Sequence, residues 1–104
     1  MIEVDIIEEA FAAAATAEAD YRAKYGEPFY CGFAWVNITP GTSKIARVLK
    51  ERYGARKSYY GGIDVWNPGR SNTQSMGIKE AGAAAFAEVL RKNGIKAYEM
   101  SRAD

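Results

Sequence analysis

Three times along the chain a base, one further residue and a glycine follow one another: Lys24–Tyr25–Gly26, Arg52–Tyr53–Gly54 and Lys92–Asn93–Gly94. Glycine takes the left-handed conformation that closes a helix at little cost, and a base suits the negative end of the helix dipole. The triplets therefore predict three helix stops, each followed by an apolar run with strand character. The helices they end cover about Ile2 to Tyr25, Ser43 to Tyr53 and Met76 to Asn93. Thr42 or Ser43, and Ser75, are the expected N-caps of the second and third. Inward stripes are expected at Val4, Ile7, Phe11, Ala14, Tyr21 and Tyr25, then at Ile45, Val48 and Leu49, then at Ile78, Gly82, Ala85, Phe86, Val89 and Leu90. Glu18–Arg22 and Asp20–Lys24 have the spacing of helical ion pairs, each adding about 0.3 kcal/mol.

The strands expected between the helices are 29–38 and 96–101, with 56–66 either one bulged strand or a hairpin turning at Gly61–Gly62. With a hairpin, residues 28–104 spell strand–helix–strand–strand–helix–strand, the ferredoxin-like arrangement with a helix added in front. With one strand, the sheet has three strands. Either way the fold class is α+β, a two-layer sandwich of a small three- or four-stranded sheet and three helices, in a single domain of 104 residues.

Alternation along the first strand puts Gly32, Ala34, Val36 and Ile38 on one side and Phe33 and Trp35 on the other. The small residues invite the helices, so the large rings fall on the far face with Trp66, Tyr98 and Tyr59. Two outcomes are open. The first helix crosses that face and makes it core, or the face stays uncovered and marks an interaction site.

Charge is uneven. Residues 1–27 carry seven acids against two bases, and 28–104 carry twelve bases against six acids. The acids suit the first helix; the bases leave open a polyanionic partner. Lys44, Arg47, Lys50, Arg52, Arg56 and Lys57 lie close together beside Tyr53, Tyr59, Tyr60 and Arg70, which reads either as a solvated helix face or as a basic surface interleaved with rings. The candidate binding residues are Phe33, Trp35, Lys44, Arg47, Arg56, Lys57, Tyr59, Tyr60, Trp66 and Arg70. No catalytic residue is expected: histidine is absent, Cys31 is alone in mid-strand, and Asp64 is an isolated carboxylate. Cofactors and metals are not expected either, since neither thiolate–imidazole clusters nor calcium-loop spacings occur. The single cysteine fits a reducing compartment, and the acidic start lacks the basic leader of a signal peptide, so a cytoplasmic protein without a membrane segment is expected.

Cys31–Gly32–Phe33–Ala34–Trp35–Val36–Asn37–Ile38 resembles the octapeptide of RNA-recognition motifs, in which the rings at Phe33 and Trp35 would stack on bases. It departs in having Cys31 where that motif has a base, and no partner hexapeptide precedes it. From Gly61 to Gly69 and on through Gln74 to Asp104, the chain is similar to small uncharacterised proteins encoded by tailed bacteriophages. That resemblance implies a compact, non-catalytic protein that binds a host protein or ribonucleoprotein and inhibits a bacterial defence system. The competing classes are a binder of single-stranded nucleic acid or nucleotides, and a homodimer formed through the ring face.

Overall fold

The glycine stops end all three helices where they were expected. In a computed structural model describing all residues 1–104, the elements run α1 (Ile2–Tyr25), β1 (Gly32–Thr39), α2 (Lys44–Tyr53), β2 (Arg56–Lys57), β3 (Ile63–Trp66), α3 (Met76–Lys92) and β4 (Lys96–Ala103). Gly26, Gly54 and Gly94 sit at φ of 72°, 75° and 78°, where a side chain would be strained. Ser43 and Ser75 cap α2 and α3, their hydroxyls accepting from the N–H of Ala46 and Ile78.

Segment 56–66 is a hairpin. The strand order is β2-β3-β1-β4, and every neighbouring pair is antiparallel. It follows that β1 and β2 run parallel with β3 between them, and β3 and β4 run parallel with β1 between them. The chain thus forms two interleaved split β-α-β units, the ferredoxin-like arrangement, and the fold is α+β with helices packed on a four-stranded sheet. No helix is long and apolar enough to cross a membrane.

The core lies on the small-residue side of the sheet. Ala34, Val36 and Ile38 of β1, Ile63 and Val65 of β3 and Ala97 of β4 join one cluster with Ile45, Val48 and Leu49 of α2 and Phe86 and Leu90 of α3. Helix α1 adds Ile7, Ala10 and Ala14 to the same cluster. Its Phe11 stacks on Tyr53 of α2, with 5.5 Å between centroids, and meets Phe86 of α3 edge-on at 4.9 Å. All three helices therefore share one side, and α1 does not seal the ring face.

Four expectations are corrected. The buried stripe of α1 is Ile7, Ala10, Ala14 and Glu18, while Tyr25 is exposed and Tyr21 only partly covered. Glu18 does not pair with Arg22, whose guanidinium lies 3.7 Å from Glu27 instead. Glu18 is only 2% exposed because two glycines make room for it: a Cβ at Gly82 would lie 2.5 Å from its Oε2, and one at Gly69 would collide with the carboxyl. In α3 Gly82 is buried as expected, but the alanines buried with it are Ala83 and Ala87 rather than Ala85. Finally, β1 starts at Gly32, not Phe29. Tyr30 O accepts from the Met76 N–H and Cys31 bridges Ser75, so the chain before Gly32 is bound to the start of α3 and Phe29 is 98% exposed.

Candidate functional site

The uncovered face of the sheet is fixed by register. Trp35 opposes Trp66 on β3 and Met100 on β4; Asn37 opposes Asp64 and Tyr98; Phe33 opposes Arg102. Opposed residues share a face. The face therefore carries Phe33, Trp35, Trp66, Tyr98 and Met100 at its centre, with Arg56, Lys96 and Arg102 around them. Trp35 and Trp66 stack at 4.5 Å with 24° between planes, and Phe33 meets Trp66 edge-on at 6.4 Å. Trp66 remains 48% exposed, and Trp35, enclosed on both flanks, is half-buried.

Two cations lean over Phe33. Lys79 Nζ is 5.3 Å and the Arg102 guanidinium 5.8 Å from the ring centroid, within cation–π range. Lys79 is fixed there by donating to Gly32 O at 3.0 Å.

The β2–β3 loop forms one wall. Tyr59 and Tyr60 stand 93% and 82% exposed and touch edge to face at 5.1 Å. Gly62 allows the return: its φ is 72°, and any Cβ would strike Ile38 O. Asn37 ties the loop down, donating from Nδ2 to Gly61 O and to Asp64 Oδ1, each at 2.9 Å. Between loop and sheet lies a cavity of about 550 Å³ lined by Trp35, Tyr59, Tyr60, Asp64, Trp66, Met100, Ser101 and Arg102. This is the size of a ligand site, apolar at its base with a few polar groups at its edge.

Of the ten candidate residues, the structure gathers Trp35, Tyr59, Tyr60 and Trp66 around this cavity, sets Phe33 beside it against Trp66, and sets Arg56 on the same face, opposite Asp64. The others lie elsewhere. Lys57 opposes Ile63 and so turns to the helix side. Lys44 and Arg47 are on the solvent side of α2, because Ile45, Ala46, Val48 and Leu49 turn inward; Lys44 lies 4.0 Å from Glu3. Arg70 caps the ring of Phe11 at 3.8 Å and lines a second cavity of about 220 Å³ with Tyr53, Arg56 and Trp66, on the flank of the sheet. There the Tyr53 hydroxyl donates to Glu8 Oε2 at 2.7 Å, which together with desolvation holds the phenol above its ordinary 10.0.

Sequence reasoning missed Arg102, Lys79, Lys96 and the Asn37–Asp64 pair. Arg102 was outside the expected strand, which runs two residues further than 101. Alternation along the strand places Asn37 on the side of Phe33 and Trp35, but it does not reveal its partner. No group of three or more His, Cys, Asp or Glu is placed to hold a metal ion. No protein-family model matches the chain, and no curated protein or solved structure matches it.

Proposed function

We propose that the protein binds rather than catalyses, and that it takes single-stranded nucleic acid on its open sheet face. One observation carries this reading: Phe33, Trp35, Trp66, Tyr98 and the Tyr59–Tyr60 tip are presented together inside a border of Arg56, Lys79, Lys96 and Arg102. Rings supply stacking that tolerates any base, and the bordering cations supply phosphate contacts. Of the two carboxylates on this side of the sheet, Asp104 lies at its far end beyond Arg102, and Asp64 is hydrogen-bonded by Asn37 and nearly buried, so it opposes the polyanion little.

The test is anisotropy of a labelled mixed-sequence 12-nucleotide strand titrated over a range of salt. Four neutralised phosphates predict a log–log slope of about −3. Loss of salt dependence, or equal affinity for duplex and single strand, refutes the reading.

A second reading has its own support. A rigid two-tyrosine tip beside tryptophan and arginine is the composition that dominates protein interfaces. On that reading the chain is a phage-encoded inhibitor docking on a host protein or ribonucleoprotein. A partner captured from bacterial lysate that survives nuclease and high salt, and is lost in Tyr59→Ala/Tyr60→Ala, would favour it.

A further inference from the structure

Strand β4 is eight residues long and pairs with β1 along one side only, leaving the other as the outer edge of the sheet. Its backbone alternation can be read directly. Asp104 N–H donates to Cys31 O, so in this antiparallel ladder residues 96, 98, 100, 102 and 104 turn their N–H and C=O toward β1. Ala97, Glu99, Ser101 and Ala103 turn theirs outward. Arg91 Nη1 agrees with this, donating to Ala97 O at 2.8 Å from outside the sheet. From Glu99 to Ala103 only the Glu99 carboxyl, at its own N–H, touches this edge. Long unpaired edges of this kind are pairing templates, and one guarded carbonyl does not close it.

We infer that this edge pairs with β4 of a second copy of the chain, antiparallel about a two-fold axis through Met100, joining two sheets into one of eight strands. The register is self-complementary. It sets Lys96 opposite Asp104, Tyr98 opposite Arg102, Glu99 opposite Ser101, Ala97 opposite Ala103 and Met100 opposite Met100. Ion pair, cation–π contact, hydrogen-bonding pair and apolar pair each recur twice or lie on the axis. The outward-facing residues 97↔103 and 99↔101 are then the pairs that exchange backbone bonds, as an antiparallel ladder requires. Sliding by two residues to centre on Glu99 puts Glu99 against Glu99 and Lys96 against Arg102, which like charge disfavours. On the helix side of the seam Ala97, Ser101 and Ala103 are small. A groove of about 260 Å³ between α3 and β4, lined by Glu80, Ala83, Ala84, Glu99, Met100 and Ser101, receives the incoming strand. The pairing shares Lys96, Tyr98, Met100 and Arg102 with the ring face, and it places two such faces side by side.

The test is sedimentation velocity over a hundredfold concentration range, with four variants. The wild-type chain is expected as a dimer. Ser101→Pro removes an N–H that makes no bond within the protomer, so it should weaken dimerisation at least about a hundredfold while the melting temperature of the monomer holds. Ser101→Ala, which keeps the backbone N–H and loses only the hydroxyl's bonds to Glu80 Oε2 and to Glu99 across the seam, should stay dimeric. If Ser101→Pro fails to fold, Met100→Cys in a Cys31→Ser background decides. Facing non-hydrogen-bonded residues lie close enough for a disulfide, so oxidation should link the copies. A wild-type monomer throughout overturns the inference. So does a dimer that persists in Ser101→Pro, that Trp66→Ala dissolves instead, or that Met100→Cys does not crosslink.

Discussion

Placing alanine at Gly82 separates helix propensity from packing within a single methyl group. In an ordinary helix interior this change stabilises by about 1 kcal/mol. Here the new Cβ would stand 2.5 Å from Glu18 Oε2 and 2.9 Å from its Cγ. Glu18 has nowhere to retreat: its carboxyl fills the space beside Gly69, and both oxygens are buried without a hydrogen-bond partner. Overpacking of this kind costs about 1–3 kcal/mol, so Gly82→Ala should destabilise by a net ~1 kcal/mol and lower the melting temperature by roughly 4–8 °C. In a Glu18→Ala background the obstruction is gone and the same change should stabilise by about 1 kcal/mol. Far-UV circular dichroism with urea and heat, run on the four members of the cycle, should give a coupling near 2 kcal/mol. If Gly82→Ala stabilises equally in both backgrounds, Glu18 is not wedged between α3 and the 67–71 loop, and the account of the α1–α3 contact fails.

Trp66→Ala should weaken binding of a single strand about ten- to hundredfold, the worth of one base–ring stack, while the melting temperature falls modestly because the ring is already half in water; a collapse of folding with no separate binding defect would make Trp66 core. Asn37→Ala removes the bonds to Gly61 O and Asp64 Oδ1 and should cost about 1–2 kcal/mol, with faster amide exchange confined to 58–64; unchanged exchange there would show that the loop holds itself. Burial pushes the Glu99 carboxyl up, but its own N–H and Arg91, 2.9 Å away, hold it below the ordinary 4.5. The folded state therefore binds this proton less readily than the unfolded one. The pair's contribution is complete above pH 4.5 and lost as pH falls through the lowered value. Both groups are more than one-third exposed, so the loss is under ~1 kcal/mol; urea denaturation from pH 6 to 3 should show a shallower acid decline in Arg91→Ala.

Local signals were the ones written plainly in the chain. Each glycine stop acts through its own φ, and each serine cap through an amide three residues on, so neither depends on distant residues. The ring face was legible for nearly the same reason: Gly32 and Ala34 alternate with Phe33 and Trp35, and size alone sorts the two sides. Arg70 is different. It follows Trp66 closely, but Asn67 and Arg70 both take positive φ, at 47° and 59°, and the intervening turn carries the guanidinium round to Phe11. Glu18 was misread because the notch that swallows it is made by Gly69 and Gly82, far along the chain. Lys44 and Arg47 were near the rings in number only; an amphipathic helix packed on the far side of the sheet takes its bases with it.

The two tryptophans of the chain face one another across β1 and β3, and none lies in the core. All indole emission from this molecule therefore originates in one place, from a stacked pair whose electronic transitions are close enough to couple. A change in that indole emission reports contact with that surface, without a label and without a contribution from the interior.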